Sequence, residues 1–188
     1  DEKNYSHYQY FFKVVKGDPL PQIRVTQERK SREIPSASGV ILWNEPGDDG
    51  DTVSTAACGP EPFTVLAKEE LEIPYLPLGR WITIELTGDK QPDEAILSDY
   101  ILKEDGSPRY DEKSTITTEL EYDNHEMRFC LTPNVNAMLS SDMSAYMTGG
   151  ILRGFKLELV WDDGSRAEYG FLISTDASFV GEDPAAME

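Results

Sequence analysis

Residues 154–175 constrain the fold more tightly than any other stretch of this chain. Phe155, Leu157 and Leu159 alternate with Lys156, Glu158 and Val160. The run Trp161, Asp162, Asp163, Gly164, Ser165 follows, and then Tyr169, Phe171 and Ile173 alternate with Gly170, Leu172 and Ser174. An Asp-Gly between two alternating apolar runs is a β-hairpin signal. Successive side chains of a strand point to opposite faces, so the pattern fits a sheet with one buried face and one wetter face.

Other segments repeat the message. In 80–86, Trp81, Thr83 and Glu85 fall on one face and Ile82, Ile84 and Leu86 on the other. Apolar or β-branched runs predict further strands at 7–16, 23–27, 39–43, 52–57, 63–67 and 95–103, while the charged stretch 30–38 reads as a loop. Runs at 114–122 and 126–132 predict a second hairpin around Asp123-Asn124. One helix is predicted over 136–147, where Leu139, Met143 and Met147 recur at helical spacing before Gly149-Gly150. The result is about nine or ten strands, spaced by roughly 8–15 residues, with at most one or two short helices. That predicts an all-β fold, an antiparallel β-sandwich of immunoglobulin-like general architecture. With 188 residues, no low-complexity linker and a Pro/Gly-rich zone near 59–79 as the one candidate boundary, the chain reads as one domain, 1–188, with frayed polar ends at 1–6 and 180–188.

A net charge of −18 and a pI near 4.4 argue against nucleic acid as a partner, because that binding rests on Lys and Arg neutralising phosphates. Residues 1–35 carry seven Lys/Arg against five Asp/Glu, so the acidity lies in the rest of the chain. Arg24, Arg29, Lys30 and Arg32 read as a solvated strand end or loop near the acidic body, the alternative being an anion or partner site. No apolar run approaches the ~20 residues of a membrane span, so no transmembrane segment is expected. The start at Asp1 reads as a trimmed mature chain, which leaves room for an upstream leader or lipid anchor.

Cys58 and Cys130 form no C-x-x-C, and two histidines are too few for a zinc site of the usual Cys/His kind. A Cys58–Cys130 disulfide fits an exported chain; two buried free thiols fit the apolar setting of Cys130 between Phe129 and Leu131. The loop 44–52 concentrates acids with Gly47 and Gly50. Asp48, Asp49 and Asp51 are therefore candidate ligands for Ca²⁺, which takes six to eight oxygens. The loop lacks the regular spacing and closing Glu of an EF-hand, and a turn explains the same residues. Asp162 and Asp163 face the same choice between cation ligands and turn chemistry. Of Trp43, Trp81 and Trp161, the last sits at a hairpin tip and is the candidate ligand-binding aromatic. His7 and His125 stand in no local motif with a nucleophile, G-x-S-x-G is absent, and Gly149-Gly150 lacks the partners of a phosphate loop.

An acidic body, a polar leading segment, strands broken by Asp-Gly turns and a Trp-Asp-Asp-Gly hairpin near the end together resemble the exported, often lipid-anchored β-sandwich domains of bacteria. That resemblance implies an extracellular or cell-surface location. The expected function is a non-catalytic binding or adhesion module for a protein or glycan, with calcium as the one candidate cofactor. The alternatives are an assembly subunit that pairs through exposed edge strands and a small hydrolase with a spatially assembled site.

Overall fold

The structure, a computed structural model, describes residues 20–28, 32–47, 50–68, 72–141 and 143–179. Among the described residues, eleven strands form two antiparallel sheets: β1 Ile23–Gln27, β2 Arg32–Ile34, β3 Ser36–Pro46, β4 Thr52–Cys58, β5 Trp81–Leu86, β6 Glu94–Ile101, β7 Ile116–Glu119, β8 Tyr122–Asp123, β9 Glu126–Cys130, β10 Ile151–Val160 and β11 Arg166–Thr175. The five-stranded sheet runs β2-β1-β5-β9-β8 and the six-stranded sheet β4-β3-β11-β10-β6-β7. The strand expected at 7–16 lies outside the described residues. Within the stretch read as a loop, β2 and the start of β3 are strand. Among the described residues, no helix is long and apolar enough to cross a membrane.

The 154–175 signal is realised as a ten-pair hairpin, from Ile151 opposite Thr175 to Val160 opposite Arg166, closed at Gly164 with φ +80°. Its inward positions Phe155, Leu157, Leu159, Tyr169, Phe171 and Ile173 are buried. They meet Val25, Ile82, Ile84 and Met127 of the facing sheet. Phe155 and Phe171 stack at 5.2 Å between centroids, and Phe129 closes on both from the other sheet. This inter-sheet layer is the main core, and each large aromatic in it contributes several kcal/mol on the order of a Phe truncation.

The segment 63–67, read as strand from its apolar run, is instead part of helix α1, Pro62–Lys68. Pro62 is suited to a first helical position, and the Glu61 carboxylate accepts the Thr64 N–H at 2.7 Å. Phe63 and Leu66, one turn apart, then face the outer side of the six-stranded sheet with Leu102 and Leu172. Two glycines make room for them. A Cβ at Gly154 would stand 2.6 Å from Leu102 Cδ1 and 2.9 Å from Phe63 Cζ, and one at Gly170 would stand 2.6 Å from Pro62 Cβ.

Two more expectations change. The helix predicted at 136–147 breaks into α2, Val135–Met138, and a 3-10 turn at Met143–Tyr146. The Tyr146 hydroxyl lies 2.8 Å from the Met138 carbonyl and 2.7 Å from that of Ser140, holding the chain in the bend between the two pieces. Strand β7, expected to pair with β9, pairs with β6 in the other sheet. The hairpin is the shorter one, β8 with β9, turned at Asn124 and His125 with φ of 50° and 63°, as a two-residue turn between twisted strands requires.

Candidate ligand cleft

Among the described residues, the sandwich is open along one side. Strand β8 covers only Glu126 and Met127 of β9. The bonds Leu131 N–H to Arg80 O and Leu86 N–H to His125 O fix the alternation of that ladder. Arg128 and Cys130 therefore direct their backbone N–H and C=O away from β5. Across the gap stands β7, the end strand of the other sheet. The bond from Leu120 N–H to Ala95 O leaves Thr117 and Glu119 pointing outward in the same way. Two strand edges thus border one opening.

A cleft of about 550 Å³ lies between them, with Phe155, Leu97 and the side chains of Asp99 and Arg153 at its base and Trp81 at its mouth. Glu119, Leu120 and Glu121 also wall a second cleft of about 620 Å³, which adds Asp93, Tyr122 and Asp123. The two clefts adjoin at this shared wall: the first holds the aromatics Trp81, Phe129 and Phe155, and the second is lined by the carboxylates of Asp93, Glu119, Glu121 and Asp123.

Asp99 and Arg153 occupy inward positions of β6 and β10, opposite Ile116 and Ile101 respectively. Arg153 Nε donates to Asp99 Oδ1 at 3.0 Å, Nη2 to Oδ2 at 2.5 Å and Nη1 to the Thr132 carbonyl at 2.7 Å. Asn134 Nδ2 donates to the same Asp99 oxygen at 2.9 Å, while its own Oδ1 accepts the Asn136 N–H at the start of α2. A buried ion pair is tolerated when its remaining donors and acceptors are satisfied, as here. The pair ties the floor of the cleft to residues 132–136 and presents a rigid polar base.

Trp81 belongs to the outward parity of β5, with Thr83 and Glu85, and is 47% exposed. The Arg128 guanidinium lies 5.2 Å from its ring centroid. Cys130 is its register partner on β9. Of the three tryptophans, this half-exposed indole, not Trp161, is the one available to a ligand.

Trp161 is 3% exposed, which corrects the expectation of an exposed tip. It keeps the inward parity of Leu157 and Leu159, meets Trp43 edge-on at 5.0 Å and donates its indole N–H to the Lys90 carbonyl at 3.3 Å. The tip itself is 162–164. There Asp162 N–H bonds Asp93 Oδ2, and Asp163 accepts the Ser165 N–H and the Lys90 ammonium. Burial alone would raise the Asp163 carboxyl. The hydrogen bonds from Lys90 and Ser165 outweigh it and hold the group below the usual carboxylate range.

The disulfide is also corrected. Cys58 and Cys130 are both free. Cys58 is exposed at the end of β4, in the six-stranded sheet, and Cys130 is half-buried at the end of β9, in the other sheet. Asp48 and Asp49 lie outside the described residues. Asp51 is exposed, with its carbonyl accepting the Gly47 N–H at 2.6 Å as a turn residue does. Among the described residues, no group of three or more His, Cys, Asp or Glu side chains is placed to hold a metal ion.

His125 sits in the β8–β9 turn with Nδ1 3.2 Å from the Tyr122 hydroxyl, at the opposite end of β9 from Cys130. His7 lies outside the described residues. Arg24 pairs with Glu33 and Glu85, and Arg32 with Glu72, as solvated ion pairs; Arg29 and Lys30 lie outside the described residues. Compared with known proteins, the chain matches no family model and no curated sequence.

Proposed function

We propose that this chain is a non-catalytic binding module of the cell exterior, whose cleft holds an extended, basic segment of a protein partner. The observation that carries the reading is the pair of adjoining clefts bordered by two strand edges, one with Trp81 at its mouth and the other lined by Asp93, Glu119, Glu121 and Asp123. The backbone groups of Arg128, Cys130, Thr117 and Glu119, which no strand takes among the described residues, suit an extended chain that adds to a sheet edge through main-chain hydrogen bonds. The carboxylates favour Lys or Arg in that chain and speed its encounter. The half-exposed Trp81 gives its apolar end a surface to stack on. The acidic body and the resemblance to exported bacterial sandwich domains support the location.

The test follows Trp81 emission while a Lys-rich decapeptide or a neutral hexasaccharide is titrated into the full chain. A response to the peptide that weakens with salt, and is lost in the pair Glu119→Lys with Glu121→Lys, supports the reading. A response to the hexasaccharide alone replaces it with glycan recognition. Silence toward both overturns it.

A further inference from the structure

Among the described residues, four strands end the two sheets, and three of them are short and carry charge, which disfavours pairing with a second copy of the same edge. Strand β2 has three residues, two of them the exposed Arg32 and Glu33. Strand β8 has two residues, and β7 has four and ends on exposed Glu119. Short length and charge are the usual protection of a sheet edge. Strand β4 has neither. It runs seven residues, Thr-Val-Ser-Thr-Ala-Ala-Cys, without a charged side chain or a proline, and six of the seven are exposed.

The hydrogen-bond phase of β4 is fixed at both ends of its ladder with β3. Gly59 N–H bonds Gly39 O at 3.0 Å, and Gly47 N–H bonds Asp51 O at 2.6 Å. Opposed residues in an antiparallel pair alternate between bonded and non-bonded, so Asp51, Val53, Thr55 and Ala57 bond toward β3. Thr52, Ser54, Ala56 and Cys58 direct their backbone groups outward, and no hydrogen bond takes these groups among the described residues. The side chains of Ala56 and Cys58 lie beside Leu42 and Val40, which are 37% and 52% exposed on the outer face.

The charge pattern points to the occupant. Residues 36–44 of β3 and 52–58 of β4 contain no charged side chain, in a chain that is 28% charged and carries −18. A basic partner would be drawn to acidic surface. A second copy of this acidic chain can approach closely only where the charge is absent. The strand is also complementary to itself. With a two-fold axis at Thr55, Ser54 of one copy faces Ala56 of the other and Thr52 faces Cys58. Every outward-pointing group then belongs to a bonded pair, and Thr55 faces its own copy in a non-bonded pair. Antiparallel pairing sends the Asp51 ends of the two strands apart.

We infer that β4 is a homodimerisation edge, joining two six-stranded sheets into one continuous sheet across a dyad at Thr55. The contact is isologous and closes on itself, as two-fold interfaces do. It does not depend on the cleft, which lies between β9 of the other sheet and β7, the opposite edge of the six-stranded sheet.

Sedimentation velocity of the full chain over a range of concentrations, at low and high salt, tests it. The expected result is a monomer–dimer equilibrium that shifts toward dimer as salt screens the repulsion between the copies. Ala56→Pro removes an outward N–H without breaking the β3 ladder, and Thr55→Asp places like charges face to face on the axis. Each should weaken dimerisation at least tenfold with the monomer's melting temperature unchanged. In a Cys58→Ser background, Thr55→Cys should oxidise to a covalent dimer bridged between the two copies of position 55, since directly opposed non-bonded residues lie within disulfide reach. A monomer under every condition, or a dimer indifferent to Ala56→Pro and not cross-linked through position 55, overturns the inference.

Discussion

The Arg153 guanidinium grips the Asp99 carboxylate by two parallel hydrogen bonds, Nε to Oδ1 at 3.0 Å and Nη2 to Oδ2 at 2.5 Å, on the floor of the inter-sheet cleft. The side chains are only 4% and 10% exposed, so neither charge has water to fall back on. Arg153→Ala would leave a buried carboxylate with Asn134 as its remaining donor. The expected loss is about 3–5 kcal/mol, read from urea midpoints at constant slope. Replacing both partners, Asp99→Leu with Arg153→Met, should recover most of that loss. Equal losses in the single and double variants would show that the pair does more than satisfy itself.

Gly154 is a second point where one atom decides. Its missing Cβ leaves the space taken by Leu102 Cδ1 and Phe63 Cζ. Gly154→Ala should cost about 1–3 kcal/mol by forcing α1 off the sheet or Leu102 off its rotamer. Because the two sites touch, the double variant with Phe63→Ala should be less destabilised than the sum of the singles, by at least about 0.5 kcal/mol. Strict additivity in a double-mutant cycle would mean that Phe63 does not need the glycine.

Much of this fold was legible in the sequence because alternation is a local signal. The parity of Phe155, Leu157 and Leu159 fixed the inner face of β10, and the same parity carried one step further puts Trp161 inside; judging it by its place beside the turn hid that. Parity also sets Trp81 with Thr83 and Glu85 on the face of β5 turned away from the inter-sheet core, where Trp81 is exposed and Thr83 is covered. Helix α1 was obscured because Phe63–Ala67 is as apolar as a strand, and the deciding marks, Pro62 and Glu61, stand before it. The cleft was not legible. It depends on β7 joining the sheet away from β9, a choice made over distance, and on Asp99 meeting Arg153 across 54 residues. The one hint was a charge at an inward position on each of two apolar strands.

Trp81 should dominate the solvent-accessible fluorescence, since Trp43 and Trp161 are 8% and 3% exposed. Trp81→Phe is expected to abolish most acrylamide quenching while changing stability by no more than about 0.5 kcal/mol, the usual range for a surface site. Trp161→Ala should instead cost about 3–5 kcal/mol, because it empties the space beside Trp43. Undiminished quenching in Trp81→Phe would place a different indole at the surface.

Tyr169 links stability to alkaline pH. Its hydroxyl donates to the Pro21 carbonyl at 2.5 Å from a fully packed position, and burial pushes its pKa well above the ordinary value. The Tyr75 hydroxyl is raised by its hydrogen bond to Asp176 and then by burial, and that of Tyr122 by burial. A group raised on folding contributes in full below its unfolded pKa, about 10 for tyrosine, and loses that contribution as pH climbs toward the folded value. Stability should therefore be level through neutral pH and fall above about pH 10, with Tyr169 adding up to about 1.4 kcal/mol per pH unit. Tyr169→Phe should lower stability at pH 7 by about 1–3 kcal/mol, since the Pro21 carbonyl loses its donor, and make the alkaline decline shallower. Urea titrations of both proteins from pH 7 to 11 decide it: alkaline limbs of equal slope would remove Tyr169 as the group responsible.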